Sequence, residues 1–360
     1  MTTVSRRLPR LSFVEFCANA RIALPAITVC ACMTVFGIAT SALADVSAWP
    51  LLSYFDMAQG TFLCLLLVSC WSFGAAAFTN SDLPVTRLRK RVVEGLPLLL
   101  LPAIVLPAFL IGYTSSKTAI PILVGYSWDA FWANCDRLLF GDDVWRISRS
   151  IFGTSSASFW AYSYSVGWGT VFVLSANFVA LLGRRRFVGV FFTAMLASWL
   201  IGGVFLAYLF SAAGPVFAPD FDPSLAQRFL ALQHLLENTS GNDGVRMAQE
   251  YLLVAAQDSH VAMKGGGISA MPSMHVATVT IYVMAARRTP WLIPAVLFWI
   301  LIFIGSAYSG FHYWIDGVLA AALAVGCWQV AAAFFSERPE RSTTSELQPS
   351  LAVGAANFQP

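Results

Sequence analysis

Long apolar stretches, each near the ~20 residues that cross a bilayer as a helix, recur along almost the whole chain. Eight stand out: 22–44, 60–78, 95–114, 157–182, 187–212, 270–286, 291–308 and 313–335. Each is predicted to be helical, because hydrocarbon offers no partner to a free backbone group and a segment must pair its own amides. The sixth is short and opens on the polar Ser273 and His275, so hydropathy alone ranks it lowest. The pattern predicts an all-α integral membrane protein of about eight transmembrane helices. A cytoplasmic segment over 1–20 precedes a polytopic domain over 21–335. The polar tail over 336–360, SERPERSTTSELQPS onward, is expected to be disordered and cytoplasmic.

Composition agrees: 58% of the 360 residues are hydrophobic and 11% charged, against about 25% charged in soluble domains. The distribution of charge then orients the spans. Basic residues gather in alternate segments: Arg6, Arg7, Arg10 and Arg21 at the start; Arg87, Arg89, Lys90 and Arg91; Arg184, Arg185 and Arg186; Arg287 and Arg288; and Arg338 and Arg341 in the tail. The positive-inside rule makes that side cytoplasmic. The loop from Asp45 to Gln59 has no basic residue, and the long loops 115–156 and 213–269 carry mixed charge. An even number of spans with both termini inside follows. The net charge of +3 sits in short loops, so it speaks for topology and not for nucleic acid. Arginine dominates over lysine, which points to a GC-rich bacterial genome and so to the cell (inner) membrane. The string ATSALAD resembles a signal-cleavage site, but the apolar run before it is long and begins late, so the first helix is expected to be retained. The seven cysteines have no metal-type spacing and read as small hydrophobes.

Chemistry enters at two lines, AMPSMHVATVTIYVMA and GSAYSGFHYWIDGVLA. The first offers Ser273 and His275 at the mouth of an apolar helix. The second offers His312 with Asp316 four residues on, one face of a helix, so the carboxylate can reach the ring and hold its tautomer. Ionisable groups in an apolar segment are costly and mark function. The topology, argued without them, sets both motifs at the outer face. Two histidines and a carboxylate there read as nucleophile, acid and orienter for a phosphate ester. In the third loop, WDAFWANCDRLLFGDDVWR alternates Trp128, Phe131, Trp132, Leu138 and Leu139 with charges. It is predicted as an amphipathic helix on the outer surface, or as a lid that uses Arg137. The fifth loop holds Arg228, Arg246, Lys264, His234 and His260, with SLAQRFLALQHLLEN as a second amphipathic helix and the two histidines read as solvated. Lys264-Gly265-Gly266-Gly267 is either a phosphate-approach segment or a hinge. There is no GxGxxG, P-loop or metal-ligand cluster, and neither cofactor nor metal is expected.

The two histidine lines, PSMH and a histidine four before an aspartate, resemble the type 2 phosphatidic acid phosphatase superfamily. Its second motif is Pro-Ser-Gly-His, and its third is Ser-Arg, five residues, His, three residues, Asp. Here Met274 replaces the glycine and Gly305-Ser306 stand where Ser-Arg is usual. The first motif, Lys, six residues, Arg-Pro, is absent: none of Lys90, Lys117 or Lys264 begins it. These departures, with CDRLLFG in the third loop, look like the branch of inositol phosphorylceramide synthases and bacterial relatives, which are inositolphosphotransferases. The resemblance covers roughly 125–335 and implies a catalytic helical bundle in the C-terminal two thirds. It implies His312 as nucleophile, Asp316 as its orienter and His275 as general acid and base. Ser273, Lys264, Arg228, Arg246 and Arg137 are the candidates to hold phosphoryl oxygens. The implied substrate is a phospholipid or lipid phosphate in the bilayer, with water as acceptor in a phosphatase or a lipid or sugar hydroxyl in a transferase. The rival readings are a transporter of a phosphorylated lipid or solute, for which inverted repeats and broken midplane helices are not evident, and a silent membrane scaffold.

Overall fold

Each apolar stretch contains a helix in the computed structural model, which describes residues 12–79, 84–237 and 261–336. The order is α1 (Phe13–Ala44), α2 (Met57–Thr79), α3 (Pro84–Leu100), α4 (Leu106–Thr118), α5 (Asp129–Phe140), α6 (Val144–Phe152), α7 (Ala157–Tyr162), α8 (Trp168–Leu182), α9 (Arg185–Leu200), α10 (Ala226–Glu237), α11 (Met274–Ala286), α12 (Leu292–Tyr308) and α13 (Trp314–Ser336). Short π-helical turns carry α3 into α4 and α7 into α8, so each pair forms one span. Among the described residues there is no strand; Ser47 and Val261 form an isolated bridge. Six helical stretches are long and apolar enough to cross a membrane, and α11 and α12 are shorter apolar helices. Together they account for the eight predicted spans of an all-α, multi-pass membrane protein. Arg6, Arg7, Arg10, Arg246, His260 and the tail from 337 lie outside the described residues.

Boundaries depart from hydropathy where a helix continues beyond its apolar part. The first helix begins at Phe13, nine residues before the apolar run, with the Ser12 hydroxyl accepting from the Glu15 N–H at 3.3 Å. Such a cap satisfies a donor left free at a helix start. At the other extreme α11 begins only at Met274, because Pro272 has no N–H to continue a helical ladder. Residues 270–273 are thereby left to run through the site.

Small residues set the approach of α1 to α4. A Cβ on Gly37 of α1 would sit 2.5 Å from the carbonyl oxygen of Gly112 on α4, so only glycine allows this approach. Close packing through small residues is how helices gain contact where lipid removes the hydrophobic drive. Among the six long spans the one begun by α9 is the most buried, with 67% of its apolar window inside against 28% for α1, and it packs against α1, α11 and α13. Large side chains such as Leu24, Val35, Ile38, Leu66 and Ile293 are exposed and form the surface that lipid covers.

The loops above this bundle are tied to it. Between α1 and α2 a 3-10 segment, Trp49–Asp56, carries Tyr54. The Tyr54 hydroxyl accepts from Gly265 N–H at 2.9 Å and pairs with Thr114 Oγ1 at 3.0 Å. Helix α5 is amphipathic: Phe131, Leu138 and Leu139 are exposed, while Asp129, Trp132 and Asp136 are buried, because those carboxylates find backbone N–H groups to serve.

Candidate active site

The α12 helix ends at Tyr308, and the turn that follows presents His312 just ahead of α13. The ring is buried, at 7% exposure. Its Nδ1 lies 2.6 Å from the Ala270 carbonyl oxygen and 3.6 Å from Asp316 Oδ2. A carbonyl can only accept, so Nδ1 carries the proton and Nε2 keeps its lone pair. Burial pushes the His312 imidazole down to about 3, against the pull of the Ala270 carbonyl, and the Lys117 charge adds to the fall. The ring is therefore neutral at physiological pH, as a nucleophile requires.

Asp316 is fully buried in the first turn of α13. Its Oδ2 accepts from the Tyr313 N–H at 2.9 Å, while Oδ1 has no partner among the described residues. The Asp316 backbone carbonyl accepts from Ser273 N–H at 3.3 Å, which joins the start of α13 to the start of α11. That contact brings the two motifs together.

His275 stands in the first turn of α11. Its ring stacks on Tyr164 at 4.3 Å and lies against Trp168 at 4.1 Å. These two aromatics are four residues apart and share a helix face, across the π turn Ser163–Gly167. Tyr164 also turns an edge to His312, with ring centres 6.4 Å apart, so one aromatic ring touches both histidines. Among the described residues nothing hydrogen-bonds to the His275 ring. Ser273 occupies the N-cap of α11 without capping it, and its hydroxyl is buried and has no partner among the described residues. The Tyr164 hydroxyl lies near it without forming a hydrogen bond of good geometry.

The structure thus unites His275, His312, Asp316 and Ser273. It places three of the expected cations, Arg137, Arg228 and Lys264, against carboxylates instead. Arg137 is half exposed and pairs with Asp142 at 3.7 Å and Asp143 at 3.3 Å. Arg228 forms an ion pair with the buried Asp143 and donates to Asn134 and to the Ala133 carbonyl. Lys264 pairs with Asp56 at 3.7 Å and lies over the Tyr54 ring. None of these contacts either histidine. Arginines beside free carboxylates in a loop satisfy those carboxylates first, which is why loop position alone misleads. His234 is exposed on α10, as a solvated residue should be.

Four features were not singled out from the sequence. Asp129 accepts from the Ala213 and Gly214 N–H groups, each at 2.8 Å, and from the Tyr313 hydroxyl at 2.9 Å. Asp136 accepts from the Trp314 and Ile315 N–H groups at 2.8 and 3.0 Å, capping α13 from another helix. Burial raises both carboxyls, Asp136 to about 7, against the opposing pull of these N–H donors. Their spacing of seven, around the buried Trp132, is the one-sided helical pattern that could have flagged them. Arg149 lies buried over the Tyr308 ring and donates to the Tyr308 carbonyl at 3.3 Å. Lys117, near the end of α4, is the cation whose charge acts on both histidines. A lone lysine at a span's end was a signal in plain view. Among the described residues no group of three or more His, Cys, Asp or Glu is placed to hold a metal ion.

Neither the curated proteins nor the solved structures contain a match to this chain. A family model does match, over residues 136–330, a stretch that holds Ser273, His275, His312 and Asp316 and is more than half the chain. The protein belongs to the PAP2 superfamily.

Proposed function

We propose that this protein cleaves or transfers the phosphate group of a phospholipid or lipid phosphate through a phosphohistidine, at the extracytoplasmic face of the cell membrane. Membership of the superfamily supports a phosphatase or phosphotransferase-type enzyme of lipids. The observation that carries the mechanism is the His312 ring, neutral and held by its Nδ1 on the Ala270 carbonyl, with His275 beside it across Tyr164.

In the first step Nε2 of His312 attacks phosphorus. An N–P bond forms as the P–O bond to the leaving alkoxide breaks, and protonated His275 gives that oxygen its proton. The phosphorylated ring keeps its Nδ1 proton and becomes cationic, and the Asp316 carboxylate 3.6 Å away offsets that charge. In the second step His275 takes the proton of an incoming water or hydroxyl, whose oxygen attacks phosphorus. The N–P bond breaks and the lone pair returns to Nε2. The unpartnered Ser273 hydroxyl donates to a phosphoryl oxygen. Phosphoryl transfer depends mainly on such positioning and charge stabilisation.

Loss of the Ser-Arg pair and of the first motif, together with CDRLLFG, favours transfer to a lipid or sugar hydroxyl, as in the inositolphosphotransferase branch. The gathering of basic residues in alternate loops supports the outward-facing site. The test is the purified protein with a panel of phospholipids labelled with ³²P in the headgroup, with and without a diacylglycerol acceptor whose acyl chains differ from the donor's. A labelled lipid carrying the acceptor's chains establishes transfer, and water-soluble label, as free phosphate from a monoester or as phosphorylated headgroup from a diester, establishes hydrolysis. Neither product from any phospholipid contradicts the reading.

A further inference from the structure

The helices α1 to α4 lie outside the family-matched residues 136–330, yet one of their side chains packs against the Gly267 segment that leads to Ala270, the His312 partner. Lys117 is in the last turn of α4. Its charge acts on both His275 and His312, and a continuous aromatic wall runs between them. Lys117 Nζ lies 6.0 Å from the centre of the Tyr113 ring. Tyr113 packs on Trp199 at 4.8 Å, Trp199 on Trp168 at 6.2 Å, and Trp168 on His275 at 4.1 Å.

The lysine stem is held in place by the segment that leads into α11. Gly267 has a φ of +84°, and a Cβ there would meet Lys117 Cβ at 3.0 Å and Cγ at 3.1 Å. The backbone thus crosses directly over the side chain, an approach open only to glycine. That segment is fastened in turn by Tyr54, whose hydroxyl binds both Gly265 and Thr114. Thr114 is one turn before Lys117 on the same helix. The first loop, the glycine segment and the lysine therefore form one assembly beside the histidines.

What Lys117 lacks is an anion. Arg137, Arg228 and Lys264 each sit against a carboxylate, whereas Lys117 makes no ion pair or hydrogen bond among the described residues. A partly buried ammonium without a counter-charge is costly in an apolar setting and calls for an anion. Among the described residues the buried side-chain atoms left without a partner include the Ser116 hydroxyl, next to Lys117 in the chain, and the Ser273 hydroxyl, while the Asp316 carboxylate faces His312. We infer that Lys117 binds the phosphoryl oxygens of the substrate, a cation supplied by the accessory N-terminal spans in place of the cations missing from the family motifs. The inference rests on the reading that the two histidines act on a phosphate.

Inorganic phosphate is the probe, read as the rise in melting temperature of the detergent-purified protein across a phosphate titration. Wild type should be stabilised. Lys117→Met, which keeps the apolar stem, should weaken the apparent phosphate affinity roughly 10- to 100-fold, the loss of one charge-assisted bond. Lys117→Arg should recover most of it. Without phosphate the Met variant should melt no lower than wild type, because an unpaired ammonium has gone. A structural lysine would instead lower the melting point. No response in wild type, or an equal response in Lys117→Met, overturns the assignment. His312→Ala separates the two claims, since it should retain the phosphate response while losing any phosphoenzyme. A Lys117-dependent response in a wild type that never forms phosphoenzyme would leave the cation site standing and sink the nucleophile.

Discussion

His312 and His275 both contact the Tyr164 ring but are held by different forces. A carbonyl 2.6 Å from Nδ1 and a carboxylate 3.6 Å away hold His312, so one nitrogen is committed and the other is left with a lone pair. His275 is held by ring contacts with Tyr164 and Trp168, with no hydrogen bond to either nitrogen among the described residues. Hydrogen bonding fixes a tautomer and suits a nucleophile that must present one atom. Stacking fixes the plane of a ring and leaves its protons free to come and go, which suits an acid that becomes a base. The contrast supports the proposed roles without reference to motif order.

The contrast breaks first at His312. Its replacement by alanine should cost at least ~10⁴-fold in turnover, because loss of a nucleophile removes a whole covalent route; an active variant would end its role. Next comes His275→Ala, which should slow an alkyl phosphate by ~10²–10⁴-fold and a nitrophenyl phosphate far less, since a low-pKa leaving group departs without a proton. Equal losses on both substrates would make His275 a binding residue. Asp316→Asn sharpens the account further. Where an aspartate alone sets the tautomer, its loss costs about 10⁴. Here the Ala270 carbonyl already holds Nδ1, so about 10²-fold is expected from lost charge stabilisation. A full 10⁴-fold loss would show that Asp316, not Ala270, orients the ring.

The smallest effect concerns the anchoring of the His312 turn. Asp136 caps α13 and titrates near 7 in the fold, against an ordinary value of about 3.9. A raised value means that the folded state holds a proton the unfolded chain has released. That stabilisation is full below the ordinary value and is lost as pH rises through about 7. Asp136→Asn should therefore flatten, without abolishing, the decline in melting temperature from pH 4 to 7, because Asp129 is raised in the same direction. An unchanged slope would mean that Asp136 does not titrate there.

The spans were legible because lipid imposes one periodicity and one length on every crossing segment. The two histidines and Asp316 were legible because ionisable groups in apolar helices are rare enough to stand out. Lys117 and the Asp129–Asp136 pair were harder to see, because their meaning lies in partners far along the chain: Gly267, Ala213 and Trp314. Conversely, Arg137 and Arg228 looked like phosphate ligands until Asp143 appeared between them. A loop charge acquires a role only when its partner is known. The part played by Ala270 was invisible for the same reason, since it acts through a backbone carbonyl that every residue possesses.

The central claim is that His312 attacks through Nε2 because Nδ1 is engaged by Ala270. It is tested most directly by quenching the enzyme with substrate at alkaline pH, where phosphohistidine survives, and locating the phosphate by peptide mass spectrometry and ³¹P NMR. The account predicts one phosphohistidine, on His312, bonded at Nε2. Phosphate on His275, or on Nδ1 of His312, would contradict it.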